Sequence, residues 1–130
     1  MSDTTAEKTT AENTAHSVTT EPAAHRVRVL SGDQVIADST RAIVLHESKH
    51  ADRYYLPRDD VNWELLQKTE STSHCPVKGD ANDYWALASD PATDVAWSYP
   101  TPFDYLQPIA GYVAFYSERV QVDAAELLPQ

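Results

Sequence analysis

The sequence is poor in the residues from which many catalytic and metal sites are built. It contains one cysteine and three glycines among 130 residues. One cysteine excludes an internal disulfide and any zinc site made of several cysteines. The glycines form neither a P-loop nor a dinucleotide-binding motif, and no His-Glu-x-x-His or aspartate-rich calcium loop is present. We therefore expect no metal and no cofactor.

Basic residues are also scarce. Ten Lys and Arg stand against twenty Asp and Glu, which gives a net charge of −10. An acidic surface repels nucleic-acid backbones and anionic lipid, so we expect neither as a partner. No apolar run approaches the roughly 18 residues that span a bilayer, and the first residues do not have the pattern of a signal peptide. These features predict a soluble, cytoplasmic protein.

The first 24 residues differ in composition from the remainder. They contain no aromatic residue and, after Met1, a single large aliphatic one, Val18. A segment made largely of Thr, Ala and Glu buries too little apolar surface to offset its ordering entropy. We predict a disordered acidic tail over residues 1–24 and a single β domain over residues 25–130.

From His25 onward, short apolar or alternating segments are separated by turn residues, which is typical of strands. Only DDVNWELL (59–66) predicts a helix, of about two turns, and 67–74 is either a loop or an edge strand. We predict a mainly β domain of about eight short antiparallel strands, arranged as a small sandwich or barrel with one short helix. The predicted strands are HRVRVL (25–30), VIAD (35–38), AIVLHE (42–47), RYYL (53–56), DYWALAS (83–89), VAWSYP (95–100) and the two halves of YVAFYSERVQV (112–122).

The segment HCPVKG (74–79) holds the lone cysteine. Pro76 fixes its own φ and Gly79 can adopt a positive φ, so the segment predicts a turn between strands. Cys75 is then either a small buried hydrophobe or a nucleophile. A nucleophile needs a neighbouring cation or base, and Lys78 would lower the pKa of the thiol if the turn folds back.

Most of the aromatic residues lie between Tyr84 and Tyr116. They are expected to form a core, yet their hydroxyl and indole N–H groups need partners. A cavity lined by such side chains suits a planar or sugar-like ligand, and a basic residue at its mouth would bind an anion. We predict a ligand site made of Arg53, Tyr54, Lys78, Gly79, Trp85, Trp97, Tyr99, Tyr112 and Tyr116. Lys78, with Arg53 or Arg58, is expected at the mouth of the site, facing the anion.

Five segments of the sequence form an ordered set of motifs: RYYLPRDDV (53–61), CPVKG (75–79), YW (84–85), AWSYPTP (96–102) and IAGYVAFY (109–116). Taken in that order, they resemble the bacterial family called domain of unknown function 427, which is sometimes labelled nucleotidyltransferase-like. The resemblance covers about residues 26–122 and implies a compact β structure related to the β-tent or Mss4-like shape. The magnesium-binding acids of polymerase-type nucleotidyltransferases and the paired cysteines of zinc-binding β-tent proteins have no counterpart in this sequence.

Three classes of function follow from these observations. The first is a small cytoplasmic binding domain whose aromatic pocket takes a small, anionic molecule. The second is an enzyme that uses Cys75 and Lys78 as catalytic residues, as the nucleotidyltransferase-like label implies. The third is a homodimeric protein-interaction module that associates through an exposed sheet edge or aromatic patch.

Overall fold

Three antiparallel sheets make up the fold in a computed structural model, which describes residues 18–75, 79–81 and 83–126. The described strands are β1 (Val18–Pro22), β2 (His25–Ser31), β3 (Gln34–Ser39), β4 (Ile43–Glu47), β5 (Arg53–Leu56), β6 (Leu66–Thr69), β7 (Ser73–Cys75), β8 (Gly79–Ala81), β9 (Asp83–Leu87), β10 (Asp90–Ser98), β11 (Thr101–Pro102), β12 (Val113–Phe115) and β13 (Gln121–Glu126). Short 3₁₀ helices cover Arg58–Asp60, Trp63–Leu65 and Asp104–Ile109.

The largest sheet has seven strands in the order β1-β4-β5-β12-β10-β9-β6. The other two have three strands each, in the orders β13-β2-β3 and β11-β8-β7. The prediction of a mainly β domain of short antiparallel strands is therefore confirmed. Among the described residues, no helix is long and apolar enough to cross a membrane.

The β2–β3 hairpin shows how the local sequence sets a strand and its turn. Val27 and Val29 alternate with charged Arg26 and Arg28, and both valines are fully buried. Gly32 in the turn has φ +59, a left-handed conformation that glycine adopts without the steric cost of a Cβ. The alternation of valine and arginine therefore places one face of the hairpin against the core, and Gly32 forms the turn that reverses the chain direction.

The seven-stranded sheet has a hydrophobic core on each face. Across β5 and β12, Leu56 pairs with Val113, and the next pair is Tyr55 with Ala114. Leu56 and Val113 belong to the core shared with β2 and β3, whereas Tyr55 and Ala114 belong to the second core. Because successive side chains of a strand point to opposite faces, each central strand contributes to both cores.

The segment 59–66, predicted to be one helix of about two turns, is two separate 3₁₀ helices. Between them, Val61 has extended dihedral angles of φ −108 and ψ 135 and forms a β-bridge with Ala37. The N–H of Asn62 donates to the carbonyl of Ile36 at 2.7 Å. These bonds to β3 satisfy backbone groups that would form intrahelical bonds in a continuous helix. With its extended backbone, Val61 is buried in the core next to β3.

The folded part begins earlier than the boundary predicted at residue 25. Residues 18–22 form β1, which pairs with β4 from Val18 opposite Glu47 to Pro22 opposite Ile43. Val18 is fully buried in the second core. The buried Val18 side chain and the backbone pairing with β4 thus hold in the sheet a strand whose composition alone predicts disorder.

We predict that the stability of the domain depends on β1. A chain of residues 25–130 should have a free energy of unfolding lower by at least about 2 kcal/mol than a chain of residues 18–130, because it loses the buried Val18 and the β1–β4 pairing. Urea unfolding followed by circular dichroism measures the difference. Equal unfolding midpoints for the two chains would show that β1 is not part of the stable fold.

Candidate functional site

The second face of the seven-stranded sheet carries a row of aromatic side chains. Trp97 of β10 pairs with Tyr84 of β9 on one side and with Ala114 of β12 on the other, and Ala114 pairs with Tyr55 of β5. Paired residues project from the same face. Because Ala114 is small, Trp97 and Tyr55 meet across it edge-on, with ring centroids 6.3 Å apart and the indole Nε1 donating to the Tyr55 hydroxyl at 3.2 Å.

A cleft of about 440 Å³ opens over this aromatic row. Ligand sites for small molecules have volumes of roughly 300–1,000 Å³, so the cleft is large enough for a monosaccharide-sized molecule. It is lined by Glu47, His50, Ala51, Arg53, Tyr55, Ser73, Tyr84, Trp97, Tyr99 and Tyr116.

Arg53 supplies a guanidinium group to the cleft. Its central carbon lies 5.4 Å from the ring centroid of Trp97 and 5.9 Å from that of Tyr116, within the range of cation–π attraction. The two rings are themselves in contact, with centroids 4.5 Å apart. The aromatic pair therefore holds the cation in place without neutralising it.

Hydroxyl groups form a second polar feature of the cleft. The Ser73 hydroxyl and the Tyr84 hydroxyl lie 2.6 Å apart, and Tyr116 lines the same cleft. Burial and the neighbouring Tyr84 raise the pKa of Tyr116 to about 12. Tyr116 therefore remains a neutral hydroxyl at physiological pH and can both donate and accept hydrogen bonds.

The aromatic rings expose little of their faces. Trp97 and Tyr84 are each 8% exposed and Tyr99 is 6% exposed. Arg53 and Tyr116 lie against the ring of Trp97. The cleft therefore offers hydroxyl groups and a guanidinium group more than open aromatic surfaces for stacking.

Histidines lie near one end of the cleft, around the β4–β5 connection. Nε2 of His46 is 2.7 Å from Glu21 and its Nδ1 is 2.8 Å from Asp52. Partial burial of the ring lowers the pKa of His46, but the hydrogen bonds with Glu21 and Asp52 outweigh that effect and raise the pKa above its usual value. This imidazole joins β1 to the segment that leads into Arg53. His50 lines the cleft, with Nε2 3.9 Å from Glu47.

No group of three or more His, Cys, Asp or Glu side chains within the described ranges is arranged to hold a metal ion. The described side chains of the cleft include hydroxyl groups, an imidazole, a carboxylate and a guanidinium group.

Four residues of the predicted ligand site line the cleft: Arg53, Trp97, Tyr99 and Tyr116. Tyr112 packs against the same core without lining the cleft. The backbone of Gly79 lies in β8, opposite Cys75 on one side and Pro102 on the other. The side chain of Cys75 and all of Lys78 lie outside the described residues, so their catalytic and anion-binding roles stay predictions.

Tyr54 and Trp85 lie on the opposite face of the sheet. Tyr54 makes an edge contact with His25 at a centroid distance of 5.9 Å. Trp85 packs against Trp63 at 4.9 Å and lies under the guanidinium of Arg58 at 5.2 Å. Both aromatic residues pack against or within the first core and are separated from the cleft by the sheet itself.

Arg58, the second arginine expected at the mouth of the site, is engaged elsewhere. Its Nε donates to the carbonyl of Gly111 at 2.8 Å, and its Nη2 donates to Asp83 at 3.1 Å. These bonds join the 3₁₀ helix after β5 to Asp83, the first residue of β9, and to Gly111, which precedes β12. Arg58 therefore has a structural role.

Sequence reasoning missed several residues that line the cleft: Glu47, His50, Tyr55, Ser73 and Tyr84. For Tyr55, the signal was present in the alternation of strands, because residues two apart share a face. Arg53 therefore implies Tyr55 rather than Tyr54. The choice of Tyr84 over Trp85 depends on how β9 is aligned with β10, which requires the pairing between strands.

Two comparisons concern the relationship of this chain to known proteins. The model of one protein family, described as Domain of unknown function (DUF427), matches residues 19–126. No protein among the curated sequences matches the chain significantly.

We predict that His46 stabilises the fold in a pH-dependent manner. Its pKa is raised in the folded state, so its contribution is fully present below the unfolded value of about 6.5. That contribution is lost as pH rises through the folded pKa. Urea unfolding at a series of pH values measures the free energy of unfolding of His46→Gln and of the natural chain. The difference between the two should be largest below about pH 6.5 and should shrink as the pH rises through the folded pKa of His46.

The variant Asp52→Asn serves as a check, because it removes one of the two carboxylates that raise the pKa of His46. The pH dependence should be smaller in that background. A difference between His46→Gln and the natural chain that is the same at every pH would contradict this account of His46.

Proposed function

Since the chain belongs to the family called domain of unknown function 427, whose description states no activity, we propose a function from its cleft: the protein binds a small hydroxylated anion, such as a sugar acid or a sugar phosphate. The single observation that carries the proposal is the placement of Arg53, a cation held over Trp97 and Tyr116 inside a cleft of about 440 Å³.

The guanidinium of Arg53 suits an anion because of how it is held. A cation stacked on an aromatic ring keeps its N–H donors in the plane of the guanidinium, where they can reach a carboxylate or phosphate in a two-bond arrangement. The side chain of Arg53 is partly exposed to solvent. An incoming anion can therefore reach it without opening the core.

The hydroxyl groups favour a ligand that itself carries hydroxyls. Ser73, Tyr84 and Tyr116 each provide a group that can donate or accept, and Ser73 and Tyr84 already share a hydrogen bond of 2.6 Å. The hydroxyl groups of a sugar ring can donate hydrogen bonds to these side-chain hydroxyls and accept hydrogen bonds from them. An apolar ligand would form no hydrogen bonds with these groups, whereas a hydroxylated ligand would.

The limited exposure of the rings argues against a flat aromatic ligand. Trp97 is 8% exposed, and Arg53 lies over its ring. A planar ligand would have to displace the guanidinium to stack on the indole. We therefore favour recognition through charge and hydroxyl groups, with the aromatic rings serving as the rigid floor.

We predict that Arg53 is required for anion binding. Glucuronate, glucose 6-phosphate and adenosine monophosphate are the probes in a thermal-shift assay at fixed ionic strength. A bound probe at about 100 times its Kd stabilises the fold by ~2.7 kcal/mol, which raises Tm by several degrees in a domain of this size. Arg53→Gln should abolish the increase.

The matched control is Arg41→Gln, which removes the same charge from an exposed arginine that pairs with Asp60 away from the cleft. This variant should keep the full increase in Tm. If no probe stabilises the natural chain, or if Arg53→Gln responds as Arg41→Gln does, the proposal is wrong.

We also predict that the Tyr116 hydroxyl contributes to binding. Tyr116→Phe keeps the ring that supports Arg53 and removes only the hydroxyl group. The affinity for a hydroxylated anion should fall by roughly 1 kcal/mol, or about fivefold, measured by isothermal titration calorimetry. Unchanged affinity would exclude this hydroxyl from the binding site.

A further inference from the structure

Arg53 already holds a carboxylate of this chain. Nη1 of Arg53 is 3.3 Å from Oε1 of Glu118, and Nη2 is 3.4 Å from Oε2. The two contacts run in parallel from the two terminal nitrogens of one guanidinium to the two oxygens of one carboxylate. This is the arrangement in which a guanidinium recognises a planar carboxylate.

The ion pair is placed where it can be exchanged. The Glu118 side chain is 63% exposed and the Arg53 side chain is 28% exposed, and both contacts are longer than the 2.7–2.9 Å of a strong charged hydrogen bond. Such exposed pairs contribute little to stability. Releasing Glu118 into water therefore costs little, whereas Arg53 remains fixed over its aromatic rings.

The turn that carries Glu118 is anchored independently of the pair. It connects β12 to β13, and the N–H groups of Arg119 and Val120 both donate to the carbonyl of Tyr116 at 3.0 Å. The Arg119 guanidinium lies 4.4 Å from the Tyr116 ring centroid. Only the Glu118 side chain has to move for Arg53 to accept another partner.

We infer that the ligand of the cleft carries a carboxylate that takes the place of Glu118 on Arg53. The inference rests on the proposed function and specifies the chemical class of its ligand. Glu118 then acts as an internal competitor, which occupies the anion position while the cleft is empty. The hydrogen bond from Arg53 also lowers the pKa of Glu118, so the competitor is ionised near neutral pH.

Because Glu118 competes with the ligand for Arg53, removing its negative charge should strengthen binding, although Glu118 does not line the cleft. Glu118→Gln should bind glucuronate roughly twofold to fivefold more tightly than the natural chain, which is the range expected for losing one exposed ion pair. Isothermal titration calorimetry at constant ionic strength measures the change in Kd.

Glu64→Gln is the matched control for net charge. Glu64 lies in an exposed position of the 3₁₀ helix Trp63–Leu65 and does not line the cleft. Its substitution should leave the Kd for glucuronate unchanged. The neutral analogue glucuronamide is the control for chemistry, and its binding should not respond to Glu118→Gln.

The outcomes separate the inference from the function on which it rests. If glucuronate binds the natural chain and Glu118→Gln binds equally or more weakly, the inference is wrong and the binding function stands. If glucose 6-phosphate binds more tightly than glucuronate, the carboxylate assignment is wrong while an anion site remains. If neither probe binds any of the proteins, the proposed function fails and the inference fails with it.

Discussion

Both faces of the seven-stranded sheet are packed, and this constraint determines where each side chain of its central strands must lie. Leu56 and Val113 face the core shared with the β13-β2-β3 sheet, whereas Tyr55 and Ala114 face the second core, on the side of the sheet that carries the cleft. A slip of one residue would exchange the two sets and place a tyrosine hydroxyl in an apolar core. The sheet register therefore fixes the floor of the cleft, and Ala114 leaves room for Trp97 and Tyr55 to meet above it.

Local charge and global charge oppose each other in this protein. The chain has a net charge of −10, so a small anion is repelled at long range. At physiological ionic strength, that repulsion is screened over about 8 Å. The contacts of Arg53 and the hydroxyl groups act within that distance, so specific short-range contacts and not the overall field would decide anion affinity. The Arg53–Glu118 ion pair is one such short-range contact, because it gives the guanidinium a carboxylate partner within 3.3 Å.

Alternation in the sequence was sufficient to predict most strands and the β fold, because a strand with one buried face leaves a period of two. The same alternation predicted the cleft residues less well, because which of them share a face depends on the pairing of strands that are distant in the sequence. Arg53 and Trp97 were identified from chemistry, yet Trp85 was chosen with them although it faces the other core. The helix predicted over 59–66 failed for the same reason: a bridge from Val61 to β3 is a tertiary interaction that local periodicity does not contain.

The central claim is that Arg53, fixed over Trp97 and Tyr116, is the anion-binding group of the cleft. The most direct measurement is a titration of the arginine side-chain N–H resonances by nuclear magnetic resonance, with glucuronate added at constant ionic strength. The account predicts a saturable shift of the Arg53 signal, with the Arg41 and Arg58 signals unchanged. Shifts that are unsaturable and equal for all three arginines would contradict it.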